Sequence, residues 1–295
     1  MKSNTIRWII LFILILIITA STYYAFLFKS LGEIKEDVSD SEQADIETDE
    51  LNKAVQNIFY TNTDLLPDLI PLPPDDVQII NENDNVFLLF TTMFYNRGKG
   101  PLELRVDEEA ARIKTDVDQD VIQRIYKEDG TFRERLSGKF LWHQTHLHYH
   151  FSDFVIYDLE PVGAPDDPSL SGVRSKATFC IRDVSSVDLD LKDRLPEGKY
   201  LICGKKLQGI SIGWADTYFS NYPDQRLNLT GLASGTYRLN FIVNPEDSFE
   251  EETLNNNISS ALLYIDMQNE TVEILETNPI NYPKVEHIYI EQSFE

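Results

Sequence analysis

Apolar and polar residues alternate along several short segments of the chain, a pattern that predicts β-strands with one buried face. In the clearest segment, 237–243, Tyr237, Leu239, Phe241 and Val243 are separated by single residues. A glycine precedes this segment and an Asn-Pro pair closes it, as expected for strand ends. The same reasoning predicts further strands at Val86–Tyr95, Ser260–Met267 and Thr271–Thr277.

Helical periodicity is weak throughout the chain after residue 50, and Glu108–Tyr126 is the best helix candidate. The proline-rich segment Leu66–Pro74 cannot be helical, because proline removes backbone donors and fixes φ, so we expect an extended lead-in. Asn96–Gly100 predicts a turn. The sequence therefore predicts an all-β fold, an antiparallel β-sandwich with long loops.

The segment from Trp8 to Phe28 contains no charged residue. At ~1.5 Å per residue a helix of this length spans about 30 Å, the thickness of the hydrocarbon core of a bilayer. Lys2 and Arg7 precede it, so the positive-inside rule predicts a cytoplasmic N-terminus and an exported remainder. We predict an N-terminal transmembrane signal anchor over 1–29, with the folded domain on the outer side of the cell membrane. Cleavage of a signal peptide, followed by secretion, is the alternative.

Charge and cysteine content narrow the possible functions. Residues 30–57 are rich in acids and predict a disordered spacer, which leaves 58–295 as the folded domain. The whole chain has 49 acidic and 26 basic residues, a net charge of -23, which argues against nucleic-acid binding. Such acidity favours cationic partners or serves solubility. Two cysteines exclude both a disulfide-dense scaffold and a zinc site with four cysteine ligands.

Four of the five histidines lie within residues 143–150. On a β-strand alternate residues share a face, so His146, His148 and His150 are predicted to line one side. Imidazole suits zinc, copper, iron and nickel, which makes these three residues candidate metal ligands. His143 is an odd number of positions from these three histidines, so it is predicted to face the opposite side of the strand and is the weaker candidate metal ligand. A cluster of surface or core histidines without a metal is the alternative interpretation.

The other face of the same predicted strand is apolar. Leu147, Tyr149 and Phe151 alternate with the histidines and are expected to pack into the core.

Three segments of the chain resemble the lysyl oxidase family. Trp142–His150 is similar to its copper-binding signature, W-H-x-C-H-x-H-Y-H. Lys176–Asp183 is similar to the block K-A-S-F-C-L-E-D, and Gln208–Tyr218 to Q-G-L-S-x-G-x-x-D-T-Y. The closing G-x-Y, N-P and N-N elements follow, so the resemblance extends over about 65–266 in the family's order.

The resemblance implies a copper amine oxidase. In this chain the three copper ligands would be His146, His148 and His150, and Lys176 and Tyr218 would form the self-derived cofactor lysine tyrosylquinone. Such an enzyme uses dioxygen to convert primary amines, in peptidyl-lysine or diamines, into aldehydes, with release of ammonia and hydrogen peroxide. The acidity of the chain adds the expectation of cationic substrates.

Two features of the predicted chemistry depend on the surroundings of the side chains. Addition of a lysine amine to an oxidised ring favours a desolvated Lys176 with a lowered pKa. Removal of the substrate's α-proton requires a base within hydrogen-bond reach, for which Asp153 and Asp216 are both candidates.

The chain departs from the family pattern in its cysteines. Thr145 stands at the cysteine position of the histidine signature, and cysteine-rich accessory modules are absent, which is typical of a minimal, microbial member. We predict a disulfide between Cys180 and Cys203, because export places both in an oxidising compartment and the chain has no other cysteine.

Two other classes of function are compatible with the sequence. A metalloenzyme without a quinone, such as an iron or copper oxygenase, would use the histidines together with a carboxylate. A non-enzymatic cell-surface binding module is suggested by the C-terminal strands alone and would need no metal.

Overall fold

The computed structural model describes residues 63–106, 117–144, 147–163, 172–187, 191, 193–222, 225–281, 283 and 285–287. Within these ranges every regular element is a β-strand. In chain order the strands are β1 (Asp64–Leu65), β2 (Leu69–Pro71), β3 (Asp75–Glu82), β4 (Asn85–Asn96), β5 (Leu102–Val106), β6 (Gln119–Lys127), β7 (Phe132–His143), β8 (His148–Pro161), β9 (Val173–Phe179), β10 (Ser185–Val187), β11 (Leu207–Ile210), β12 (Trp214–Tyr218), β13 (Arg226–Asn228), β14 (Gly235–Val243), β15 (Ile258–Asp266), β16 (Thr271–Asn278) and β17 (Val285–His287).

The alternating pattern correctly located the C-terminal strands. In β14 the side chains of Tyr237, Leu239 and Phe241 are fully buried, and those between them remain partly exposed. This is the period of two that one buried face requires. The strands predicted at Val86–Tyr95, Ser260–Met267 and Thr271–Thr277 are confirmed as β4, β15 and β16.

The helix prediction for Glu108–Tyr126 is wrong over its C-terminal part, which forms β6. Val121, Gln123 and Ile125 are buried in alternation, and β6 pairs with β5 and β7. Residues 107–116 lie outside the described ranges. The apolar residues of this segment fit a helical period as well, so the long-range pairing decides the outcome.

All strand pairs of the described chain are antiparallel and form two sheets. The ten-stranded sheet has the order β11-β5-β6-β7-β8-β14-β15-β16, with β1 beside β6 and β9 beside β8. The seven-stranded sheet has the order β13-β4-β12-β10-β17, with β2 and β3 beside β4. The predicted all-β, antiparallel fold is therefore confirmed.

The two sheets share one aromatic core. Phe90 and Phe94 of β4 meet Tyr157 and Phe154 of β8, with ring centroids 4.8 Å and 4.9 Å apart respectively. Because β4 and β8 belong to different sheets, these contacts join the sheets face to face, as in a sandwich. The first residues of β8 pair with β7, and its later residues pair with β9 and β14.

The predictions for the N-terminal region concern residues that the structure does not describe. The anchor over 1–29, the spacer over 30–57 and the domain boundary at residue 58 all lie outside the described ranges. Among the residues that are described, no helix has the length and apolar character to span a membrane.

Candidate functional site

The histidines meet at a hairpin between β7 and β8. β7 ends at His143, β8 begins at His148, and these two residues are paired across the hairpin. The Leu147 N–H donates to the His143 carbonyl oxygen at 2.8 Å, and Leu147 has a φ of 56°, a value that non-glycine residues seldom adopt. The predicted continuous strand through this segment is therefore wrong, because the chain reverses direction. His146 lies outside the described residues.

His148 and His150 point their imidazoles toward the same place. Their Nε2 atoms are 3.0 Å apart, and we call these two residues the histidine pair. Nitrogens this close share a proton in a hydrogen bond or bind a common ion. The His143 ring stacks on His150 with centroids 4.7 Å apart, although strand parity placed it on the other face. Because the chain turns between the two strands, the alternation rule does not apply across it, and the His143 ring lies against the histidine pair.

The predicted apolar face is confirmed for two of its three residues. Tyr149 and Phe151 are buried, whereas Leu147 is 63% exposed because it lies in the turn. The burial of Tyr149 and Phe151 anchors the start of β8 in the core and so fixes the backbone that carries the histidine pair.

Thr178 and Gln208 hold the histidine pair in place, and neither residue was assigned a role by the sequence motifs. Thr178 Oγ1 and His150 Nδ1 share a hydrogen bond of 3.2 Å. Gln208 is fully buried and donates to the carbonyl oxygen of Tyr149, between the two histidines, at 2.7 Å. Hydrogen bonds of this kind fix the orientation of metal-binding imidazoles. Both residues lie in segments that resemble the family motifs, and Thr178 is two positions after Lys176. The motifs were therefore the signal that could have pointed to these two residues.

The predicted disulfide is confirmed. Cys180 and Cys203 are bonded, with Cα atoms 5.6 Å apart. A ring nitrogen of His148 and the two sulfur atoms all lie within 4.8 Å of one another. Disulfide sulfurs are not thiolates, so in this state the group lacks the ligands of a cysteine metal site. The disulfide instead covers one side of His148.

Tyr218 is buried beside the disulfide. Its hydroxyl donates to the Cys180 carbonyl oxygen at 2.8 Å, and its ring stacks on Phe179 with centroids 3.7 Å apart. Burial raises the pKa of the Tyr218 phenol well above its ordinary value, and the nearby Asp216 raises it further. The phenol is therefore protonated at neutral pH.

Lys176 lies in different surroundings from Tyr218. Its amine is half exposed and forms ion pairs with Glu246 at 2.9 Å and Asp153 at 3.5 Å. The hydrogen bond to Glu246 and the charge of Asp153 raise the pKa of Lys176, whereas the predicted chemistry favours a lowered one. Lys176 and Phe179 are three positions apart on β9 and so face opposite sides. The structure therefore does not bring Lys176 to the ring of Tyr218.

The two candidate bases are separated in the same way. Asp153 lies at a bulge of β8, has a φ of 49° and contacts Lys176. Asp216 is buried on β12, where its carboxylate accepts the Arg182 N–H at 3.1 Å. Burial raises the pKa of Asp216 to about 8, although the Arg182 charge and N–H oppose the shift. Asp216 thus belongs with Tyr218, and Asp153 with Lys176.

Comparison with known proteins places the histidine hairpin in a named family. The family model Lysyl oxidase matches residues 122–275, more than half of the chain. The chain belongs to the lysyl oxidase family. The matched lysyl oxidase region contains the histidine pair, Lys176, the disulfide and Tyr218.

Curated members of the lysyl oxidase family are similar over a limited part of their length. Lysyl oxidase homolog 3A of Danio rerio is 32% identical over 142 residues, which is 46% of this chain and 17% of that protein. Lysyl oxidase homolog 4 of Mus musculus is 30% identical over 122 residues, 40% of this chain and 14% of that protein. Protein-lysine 6-oxidase of Rattus norvegicus is 32% identical over 118 residues, 40% of this chain and 26% of that protein. The match thus spans between 14% and 26% of these relatives.

Proposed function

We propose that this protein is a copper-dependent oxidase of primary amines. One amine, one dioxygen and one water would give one aldehyde, one ammonia and one hydrogen peroxide. The 3.0 Å separation of the Nε2 atoms of His148 and His150, within the lysyl oxidase region, carries the proposal. The name of one relative, protein-lysine 6-oxidase, supports lysine side chains as the substrate class.

The donor atoms of the histidine pair fit a copper ion. Imidazole nitrogens suit copper. Two nitrogens that each lie ~2.0–2.1 Å from one ion are about 2.8–3.4 Å apart at bond angles between about 90° and 110°. The Nε2 separation of 3.0 Å falls within that interval. We propose His146 as the third ligand, on the basis of the family signature.

Bound copper would supply one-electron chemistry with dioxygen. The chain's own residues would hold the ion in place. Thr178 restrains the ring of His150 through Nδ1 and so keeps Nε2 directed toward Nε2 of His148. Gln208 fixes the backbone between the two histidines, so that both rings keep their separation.

We propose Lys176 and Tyr218 as the source of lysine tyrosylquinone. The present arrangement does not fit the finished cofactor, because the two side chains have different partners and lie on opposite sides of β9. It corresponds to the chain before any cross-link. Cross-linking would require Lys176 to leave Glu246 and Asp153, and to lose the proton that they stabilise.

We assign the proton-accepting role to Asp216. Asp153 is half exposed and its carboxylate is engaged in an ion pair with Lys176 at 3.5 Å. Asp216 is buried two positions from Tyr218, and its pKa of about 8 makes its carboxylate, once ionised above that pH, a stronger base than an ordinary carboxylate. The net charge of -23 supports a cationic amine, either peptidyl-lysine or a diamine, as the substrate.

We also propose an exported domain, 58–295, held at the cell membrane by the anchor 1–29 and the spacer 30–57. The Cys180–Cys203 disulfide supports export, because disulfides persist in oxidising compartments. Intact mass of the mature protein, together with extraction from membranes by carbonate, tests the anchor. A mature chain that lacks residues 1–29 and is released without detergent would instead support secretion.

The oxidase is tested with protein produced in copper and air. We expect peroxide and aldehyde from diaminopentane or a lysyl peptide, and a cross-linked pair of peptides that contain Lys176 and Tyr218 in mass mapping. The matched controls are Lys176→Arg, which keeps the positive charge but cannot form this cross-link, and Tyr218→Phe.

The outcomes separate the three possible functions. Both variants should bind copper and yet release no peroxide. Undiminished peroxide release from both variants would favour a metalloenzyme without a quinone. A copper-loaded wild-type protein that oxidises no amine at all would contradict the proposal and favour a binding module.

A further inference from the structure

A second cluster of metal-binding atoms lies beside the histidine pair. The sulfurs of Cys180 and Cys203 and a ring nitrogen of His148 are all within 4.8 Å of one another, and neither His143 nor His150 belongs to this group. The disulfide occupies both sulfurs in the present state. Before oxidation, the same positions hold two thiols and an imidazole.

We propose that in the dithiol chain Cys180, Cys203 and His148 form a site for a thiophilic ion, Cu(I) or Zn²⁺, and that disulfide closure dismantles it. Thiolates select these ions, and imidazole is a common third ligand for them. Around a tetrahedral ion, sulfurs at ~2.3 Å and a nitrogen at ~2.0–2.1 Å lie roughly 3.4–3.8 Å from one another. The present spacing, at most 4.8 Å, reaches this arrangement with small side-chain movements.

Gln208 keeps these three ligands together without the disulfide. Its side-chain amide donates to the Tyr149 carbonyl at 2.7 Å and to the Gly204 carbonyl at 3.3 Å, and its Oε1 accepts the Ile181 N–H at 3.0 Å. Tyr149, Gly204 and Ile181 are the direct chain neighbours of His148, Cys203 and Cys180. One buried side chain therefore connects all three ligand-bearing segments, so reduction of the disulfide leaves their backbones adjacent.

The site would control where His148 directs its imidazole. An ion held by the two thiolates draws His148 away from His150, whose Nε2 is 3.0 Å distant, and so breaks up the histidine pair. Disulfide closure transfers two electrons from the two thiolates to a disulfide donor, R–S–S–R, which leaves as two thiolates, R–S⁻, that take up protons from the solvent. The thiophilic ion then loses two ligands, and His148 returns to the histidine pair.

Cobalt provides a direct assay, because thiolate-bound Co²⁺ absorbs in the near ultraviolet. The full chain is reduced with a phosphine in the absence of oxygen and titrated with Co²⁺, and circular dichroism is recorded throughout. We expect one equivalent of Co²⁺ to give a thiolate band in reduced protein and no such band in oxidised protein. Cys203→Ser should weaken this band. His148→Ala should lower affinity by about 10–100-fold, since a lost ligand costs at least as much as a lost supporting contact.

His143→Ala is the matched control, because it removes the neighbouring imidazole and should leave the band and the affinity unchanged. Absence of a thiolate band in reduced protein, or equal affinity in wild type and His148→Ala, would overturn the proposal. So would a reduced chain that unfolds even with one equivalent of Zn²⁺. The assay involves no amine oxidation, so its result stands apart from the oxidase test, although the fate of His148 rests on the proposed copper site.

Discussion

The side-chain amide of Gln208 donates to the backbone carbonyl of Tyr149 at 2.7 Å, and this bond fixes the strand between the two histidines of the pair. Gln208→Leu removes the bond and leaves that carbonyl without this donor. We therefore expect the affinity for Cu²⁺ to fall about 10–100-fold, the usual cost of losing such a supporting contact. Competition with a chelator of known affinity measures the change.

The control for this variant is Gln123→Leu. Gln123 is also fully buried and its side chain bridges backbone groups, those of Glu250, but its position on β6 is paired with Arg135 of β7 and not with the histidines. Both variants should lose stability through a missing buried amide. Only Gln208→Leu should lose copper affinity, and equal losses in the two would mean that the effect reflects general destabilisation.

Removal of either member of the histidine pair should abolish stoichiometric copper. His148→Ala and His150→Ala each delete one of the two nitrogens that are 3.0 Å apart. Metal analysis of purified protein after dialysis gives the copper content per chain. His143→Ala, which removes only the ring stacked on His150, should keep the ion. Wild-type copper content in His148→Ala would place the ion elsewhere.

The amino-acid pattern predicted the strands with one buried face but not the hairpin of the histidines. Alternation along β14 is visible in the sequence because the apolar residues of this strand are those whose side chains are buried. The reversal before His148 depends on Leu147 adopting a φ of 56°, a conformation for which leucine has no local preference. The alternation of strand faces does not continue through this turn, so the pattern predicts the wrong side for His143.

The surroundings that distant residues create for a side chain also could not be predicted from the sequence. Glu246 lies 70 positions away in the chain, yet its contact with the Lys176 amine raises the pKa of Lys176. The burial of Asp216 and its raised pKa likewise result from packing between sheets. The motifs indicated candidate residues, whereas the protonation of those residues depends on tertiary contacts that no local pattern contains.

Loss of the disulfide should destabilise the domain. The bond links residues 23 positions apart, and in the chain-entropy model closure of such a loop stabilises the folded state by about 3–4 kcal/mol. We expect the Cys180→Ser/Cys203→Ser double variant to unfold at a lower urea concentration, with a free energy of unfolding that is lower by that amount. Quantitative thiol labelling of denatured, non-reduced wild type should detect no free thiol, and two labelled thiols per chain would contradict the bond.

The stability of the protein should fall as pH rises, in part because of Asp216. Burial raises its pKa in the folded state to about 8, so between the ordinary carboxyl pKa and 8 the folded chain retains a proton that the unfolded chain has lost. The contribution is complete below the ordinary pKa and disappears as pH rises through 8. The slope is about 1.4 kcal/mol per pH unit within that window.

Asp216→Asn removes this titration and should flatten the profile. Urea unfolding of wild type and variant from pH 5 to pH 9 gives the difference in the free energy of unfolding. Glu251, whose pKa burial also raises to about 8, is present in both proteins and cancels in the difference. Parallel pH profiles for the two proteins would show that Asp216 ionises normally.

The acidic surplus should make turnover of dications sensitive to salt. The chain carries 49 acidic and 26 basic residues, and a field of that sign concentrates cations near the protein. Screening shortens the Debye length from ~10 Å at 0.1 M salt to ~3 Å at 1 M. We therefore expect kcat/KM for a diamine to fall more steeply with salt than kcat/KM for a singly charged alkylamine, as followed by peroxide release. Identical salt profiles for the two substrates would mean that the acidic surface serves only solubility and that contacts within the site determine which substrate is used.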